Sequence, residues 1–152
     1  VSRREPEDFI ESFSALSRCL KGIAADKYAS IEVGSAQAKF LRYIGRHSPI
    51  SQAELARATA TAPTLTGRAL ETLIERGWIR RKRSEEDRRE YLLELTASGR
   101  RAREKVEEAR NQVAERIVSE LSERDLDDFD RIVKKLLAAF QPKAEEGAKA
   151  EP

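Results

Sequence analysis

The stretch Ser51–Gly99, SQAELARATATAPTLTGRALETLIERGWIRRKRSEEDRREYLLELTASG, decides the fold. It opens on Ser51-Gln-Ala-Glu54, a capping box: serine hydroxyl and glutamate carboxylate each satisfy a backbone N–H left over at a helix start. A short helix through Leu55 to about Ala58 follows. After the brief Thr59-Ala60-Thr61 connection, Thr61 as N-cap and Pro63 in the first turn open a second helix. That helix is expected to run to about Arg76, to bury Leu65, Ala69, Leu70 and Leu73, and to stop at Gly77. Beyond Gly77 the apolar period changes from helix to strand. Trp78-Ile79-Arg80 and Glu90–Leu95 read as two strands, and Arg81–Arg89 between them is a polar loop with no apolar residue. Two helices on a short turn, followed by a basic hairpin, make a winged helix-turn-helix.

Working outward, the flanks are helical. From Pro6 to about Tyr28, Phe9, Ile10, Phe13, Leu16, Leu20 and Ile23 form an apolar stripe on a helix about 30 Å long. A second helix, Ala36 to about Arg46, turns Phe40, Leu41 and Ile44 inward and is broken at Ser48-Pro49. On the far side Thr96 caps a long helix through Val106, Ala109, Val113, Ile117 and Leu121. Ser122-Glu-Arg-Asp125 is a second capping box, opening a last helix with Phe129, Ile132, Val133, Leu136 and Phe140 on one side. The fold expected is mainly α with a small β-hairpin wing. Residues 1–33 and 97–140 would be dimerisation helices around a DNA-binding domain at 34–96, with a disordered tail at 141–152. The flanking stripes leave more apolar face than the small winged core can use, and a second copy is the economical cover.

Composition excludes several classes. The chain has 152 residues, 39% hydrophobic and 37% charged. No apolar run approaches the ~20 residues of a membrane span, and Val1-Ser-Arg-Arg-Glu-Pro6 lacks a signal peptide's apolar core, so the cytoplasm is the expected location and no membrane partner is expected. One cysteine, Cys19, and one histidine, His47, exclude an internal disulfide, most metal sites and histidine-based triads. No cofactor or metal is expected. With no Gly-rich phosphate loop either, an enzyme has little support. The net charge of +2 conceals a gradient: Ala36–Arg89 holds 12 Lys and Arg against 6 Asp and Glu, and the remainder nets −4. A basic middle between acidic arms suits a polyanion.

That polyanion is expected to be double-stranded DNA. Burial along the second helix leaves Thr64, Gly67, Arg68, Glu71 and Thr72 facing out, and B-DNA's major groove admits one helix. Arg68 can hold guanine through O6 and N7, while Thr61 and Thr64 can reach phosphate. Ser51, Gln52, Thr66, Thr72, Arg83, Arg88 and Arg89 complete the candidate contacts, the wing arginines suiting the minor groove. Asp87 is expected to order the wing by pinning a guanidinium. Gly67 either lets the backbone approach DNA or relieves crowding against a neighbouring helix. Trp78 reads as a packing residue, and His47 as a helix C-terminal residue favoured by the dipole.

Leu55-Ala56, Arg68, Leu73, Gly77–Arg81, Asp87-Arg-Arg89 and Leu93-Glu-Leu-Thr96-Ala-Ser-Gly99 resemble the MarR family of bacterial transcription regulators, over roughly Gly34–Gly99. The resemblance implies a homodimer with interdigitated terminal helices that carries two winged modules onto a palindromic operator. It implies minor-groove duty for Asp87 and Arg89, and repression relieved by small, often phenolic, anions or by oxidants. It also implies a ligand pocket between the dimer helices and the winged module, for which residues such as Tyr28, Phe40, Arg42 and Tyr43 are open candidates, Arg42 either pairing an anion or sitting on the surface. Gly67 and Glu71 depart from the family's usual recognition helix, so its operator sequence does not carry over. In one branch the first helix bears a reactive cysteine; Cys19, beside Arg18 and Lys21, is the counterpart for an oxidant-sensing alternative. The aromatic surroundings of that branch are missing, which favours a partly buried, inert thiol. A low-specificity architectural DNA-binding protein and a protein-interaction adaptor are the other rivals.

Overall fold

A computed structural model describes residues 5–141. The tail expectation therefore falls almost wholly outside the described residues. Six helices and three short strands follow in the order α1 (Pro6–Ser30), α2 (Ser35–His47), β1 (Ile50–Ser51), α3 (Gln52–Ala58), α4 (Pro63–Glu75), β2 (Ile79–Arg83), β3 (Tyr91–Leu95), α5 (Ala97–Ser119) and α6 (Glu123–Phe140). The described chain divides into two compact units, with the boundary between Val113 and Ala114.

The first unit holds the winged core. Phe40, Leu41 and Ile44 of α2, Leu55 of α3, Leu70 and Leu73 of α4, Leu93 of β3 and Val106 of α5 are fully buried. Tyr28, Ala102 and Ala109 extend this core into α1 and α5. β3 lies between β1 and β2, antiparallel to both. β1 has only two residues, no room for a period, and so leaves no signal in the sequence. β2 runs past its expected end at Arg80: Arg81, Lys82 and Arg83 pair with Leu93, Leu92 and Tyr91, so the wing tip is only Ser84–Glu90.

Local chemistry sets most boundaries. At Ser51 the hydroxyl accepts from the Glu54 amide at 3.1 Å, and the Glu54 carboxylate accepts from the Ser51 amide at 3.3 Å. Gly77 takes φ +73°, the left-handed conformation a helix C′ position favours. Thr96 performs two tasks: its hydroxyl donates to the Gly77 carbonyl and accepts from the Gly99 amide at 3.0 Å. The α4 start differs from expectation. Its N-cap is Ala62, without a side-chain bond, and Pro63 is the first helical residue. Thr61 instead spends its hydroxyl on Thr59 and on the Lys39 ammonium.

In the second unit, Ser122 opens α6 by donating its amide (2.9 Å) and hydroxyl (2.8 Å) to the Asp125 carboxylate, which holds that carboxyl below the ordinary aspartate pKa. No residue of α6 is buried. Among the described residues no helix is long and apolar enough to cross a membrane.

Candidate nucleic-acid interface

The connection between α3 and α4 is Thr59–Ala62, with Ala60 at φ +49° turning the chain sharply. Thr59 donates its hydroxyl back to the Leu55 carbonyl at 2.7 Å, and the Thr61 amide reaches the Ala56 carbonyl at 3.0 Å. These bonds fix the angle at which α4 leaves α3. Arg76 anchors the other end of α4, donating to the Glu32 carbonyl and Gln37 Oε1 while stacking 3.6 Å above the Trp78 ring. Trp78 is a packing residue, as expected.

Burial along α4 corrects two expectations. Thr66, offered as a DNA contact, is fully buried, and its hydroxyl donates to the Ala62 carbonyl at 3.0 Å. That back-bond satisfies the hydroxyl internally, so the side chain packs as valine would. Leu65, placed in the core by the sequence, is 58% exposed instead. Ser51 is buried as well, its hydroxyl consumed by the capping box, and it too presents nothing to DNA. Thr64 and Arg68 are exposed on α4 and Thr72 is half-buried, its hydroxyl on the Arg68 carbonyl at 3.2 Å.

Gln52 joins helix to wing. Its Oε1 accepts from Arg81 at 3.3 Å, and a Cβ on Gly67 would sit 3.6 Å from its Nε2. That is ordinary contact, so crowding does not explain Gly67. A cleft of about 760 Å³ runs between α3, the start of α4 and the wing, lined among others by Gln52, Arg57, Thr61, Pro63, Arg89 and Tyr91. The helix start and the wing cation Arg89 thus share one concavity.

The wing sorts its cations by partner. Arg80 is neutralised by Glu94, its cross-strand neighbour. Arg83 donates to the Tyr91 hydroxyl at 3.0 Å and lies over that ring. Lys82, Arg88 and Arg89 have no side-chain hydrogen bond or ion pair among the described residues and are exposed. Asp87 orders the tip, though not by the expected route. Its carboxylate accepts from the Arg89 backbone amide at 3.0 Å, while the Asp87 amide donates to the Ser84 hydroxyl. The guanidinium of Arg89 is therefore left uncommitted.

Cys19 is exposed on α1, not partly buried. His47 stacks on Tyr43 at 4.2 Å between ring centroids, and no cluster of three metal-ligating side chains occurs among the described residues.

A helix that exposes Thr64 and Arg68, preceded by a helix tied through Gln52 to a wing whose Arg88 and Arg89 are unpaired among the described residues, defines a winged helix-turn-helix DNA-binding regulator of transcription. A family model described as the MarR family matches residues 33–90. The chain is 32% identical over 97 residues to the HTH-type transcriptional regulator BilQ of Clostridium symbiosum, covering 64% of this chain and 67% of that one. It is 30% identical over 124 residues to the uncharacterized HTH-type transcriptional regulator YwhA of Bacillus subtilis, covering 80% and 89%. The chain belongs to the MarR family. Its fold matches that of a MarR transcriptional regulator from Methanosarcina mazei Go1 with a TM-score of 0.77 at 24% identity, over 88% of this chain and 96% of that one.

Proposed function

We propose that the protein is a dimeric repressor that reads a palindromic operator and is released by a small anionic effector. The observation that carries the DNA reading is the shared cleft: the α4 start and Arg89 open onto it, with Gln52 between them. Arg68 reads a guanine, Thr64, Thr72 and Gln52 flank it, and Arg83, Arg88 and Arg89 address the minor groove or its phosphates. Thr61 acts by holding the turn. Repression follows by occupying the operator, in the cytoplasm where the DNA lies.

The effector reading rests on a second cavity of about 730 Å³, where α1, α2 and α5 meet. Lys21, Lys39 and Arg110 line it beside Tyr28, Ala24 and Ala25, with Arg42 held on the Glu107 carboxylate at 3.0 Å, an arrangement suited to a carboxylate on an apolar body. Of the four residues the resemblance implied, Tyr28 and Arg42 line this cavity, Phe40 is fully buried, and Tyr43 lines a different cleft with His47. Lys39 links the cavity to the reading head, because its ammonium donates to Thr61 at 2.9 Å just before α4. An anion that draws Lys39 inward frees the turn that sets α4.

Fluorescence anisotropy on the DNA upstream of its own gene, beside a scrambled duplex at about 150 mM salt, tests the DNA reading. Binding at least 10³-fold tighter to the first is expected of a specific regulator, and equal weak binding would favour the architectural rival. Arg68→Ala should cost about 1–3 kcal/mol and relax preference at one base pair. A uniform loss on all sequences would make Arg68 a phosphate contact.

In the same assay an aromatic carboxylate such as salicylate should weaken wild-type binding. Lys39→Gln should keep most DNA affinity and lose the response at least tenfold; an undiminished response would remove Lys39 from the link. Cys19 exposure is the one observation favouring oxidant sensing. Peroxide release that survives Cys19→Ser would end that reading.

A further inference from the structure

The recognition helix carries a large apolar side chain that the fold leaves unused. Leu65 is 58% exposed near the start of α4, while its neighbour Thr66 takes the buried position. Leu65, Arg68 and Thr72 follow one another at spacings of three and four, so they form one row along the helix. A lone exposed leucine is ordinary on a protein surface. This one stands a turn from the only arginine of α4, on the element that meets the DNA, in a segment rich in cations. The segment Ala36–Arg89, with 12 Lys and Arg against 6 Asp and Glu, fits a polyanion, and the major groove of DNA offers one apolar group at base level, the 5-methyl of thymine.

We propose that Leu65 reads a thymine 5-methyl group in the major groove, next to the base pair addressed by Arg68, and so helps to set operator sequence. The leucine terminus and the methyl exclude water from each other, while Arg68 supplies the directional contact one turn on. Cytosine at that position lacks the methyl and presents an amino group to an apolar surface, so it is discriminated against.

The test begins with selection from a random duplex pool by the full-length wild type and by Leu65→Ala. The wild type should enrich one thymine per half-site that the variant does not. In the selected duplex, deoxyuridine then replaces that thymine, deleting only the methyl. Wild-type affinity should fall about 3–10-fold per site, and Leu65→Ala should bind the two duplexes alike. The exposed position predicts an unchanged melting temperature for the variant. The inference is overturned if Leu65→Ala selects the same thymine with the same uracil penalty. It is also overturned if the substitution changes the oligomeric mass, which would put Leu65 between protein copies. A wild type that enriches no sequence would overturn both this inference and the sequence-reading function it rests on; enrichment without methyl sensitivity overturns this inference alone.

Discussion

Gly99→Ala should melt roughly 10 °C below the wild type, although it adds a single methyl group. A Cβ at Gly99 would fall on the backbone of Trp78, against its carbonyl oxygen and 2.8 Å from its carbonyl carbon. Side-chain repacking cannot relieve that overlap, because the obstructing atoms are main chain. The same carbonyl accepts from the Thr96 amide at 3.0 Å, and the Thr96 hydroxyl bonds both the Gly77 carbonyl and the Gly99 amide. Pushing α5 away from Trp78 therefore breaks several bonds where the wing, the end of α4 and α5 meet. A cost of about 3 kcal/mol, at the upper end of overpacking, is expected.

Gly67→Ala is the matching control. Its Cβ would meet only Gln52 Nε2 at 3.6 Å, and replacing a mid-helix glycine should stabilise α4 by about 0.5–1 kcal/mol. Thermal unfolding followed by circular dichroism compares the two. A Gly99→Ala variant melting within 2 °C of the wild type would show that the junction yields and that this packing account is wrong.

Gly99 also marks how far the sequence could be read. The Leu-x-Leu-Thr-x-x-Gly run was legible as a resemblance, but its physical basis was not, because Thr96 and Gly99 act on residues about twenty positions earlier. Boundaries set by chemistry within four residues were legible: the boxes at Ser51 and Ser122, and the stop at Gly77. The register at the start of α4 was not. Residue type favours Leu65 inside and Thr66 outside, but the Thr66 hydroxyl can be satisfied within its own helix, which removes the penalty for burying it. β2 escaped notice beyond Arg80 because all its later residues are exposed; its pairing is a backbone property of the ladder with β3. The route by which Asp87 orders the wing was missed for a related reason: a carboxylate two residues before an amide bonds that amide more readily than a long flexible side chain.

Ile132→Asp should convert a dimer into a monomer and lower operator affinity at least a hundredfold. The case rests on α6, which buries none of its residues and leaves large apolar side chains exposed. Phe129 is 58% exposed, Ile132 44%, Leu136 40% and Phe140 83%, at spacings of three and four that place them on one stripe. Burying each such side chain is worth about 1.5–3 kcal/mol, and a two-fold interface counts each residue twice. The exposed Phe9, Ile10, Phe13 and Leu16 of α1 present a second apolar stripe with the same need.

A carboxylate at position 132 must be desolvated in both copies at once, at several kcal/mol each unless it finds a partner. Because Ile132 is already half exposed in the single chain, the substitution should leave the winged core folded, and the monomer's circular dichroism should show it. A folded monomer still carries one complete reading head. It loses only the second, tethered contact, which for linked binding modules contributes about 10²–10⁴ in affinity. Sedimentation equilibrium gives the mass, expected at twice 17.2 kDa for the wild type and at 17.2 kDa for the variant. Anisotropy on full and half operators gives the affinity, and the variant should bind the two alike. A wild type that sediments as a monomer, or a variant that stays dimeric, would remove α6 from the interface. A monomeric variant with undiminished operator affinity would instead separate dimerisation from DNA reading.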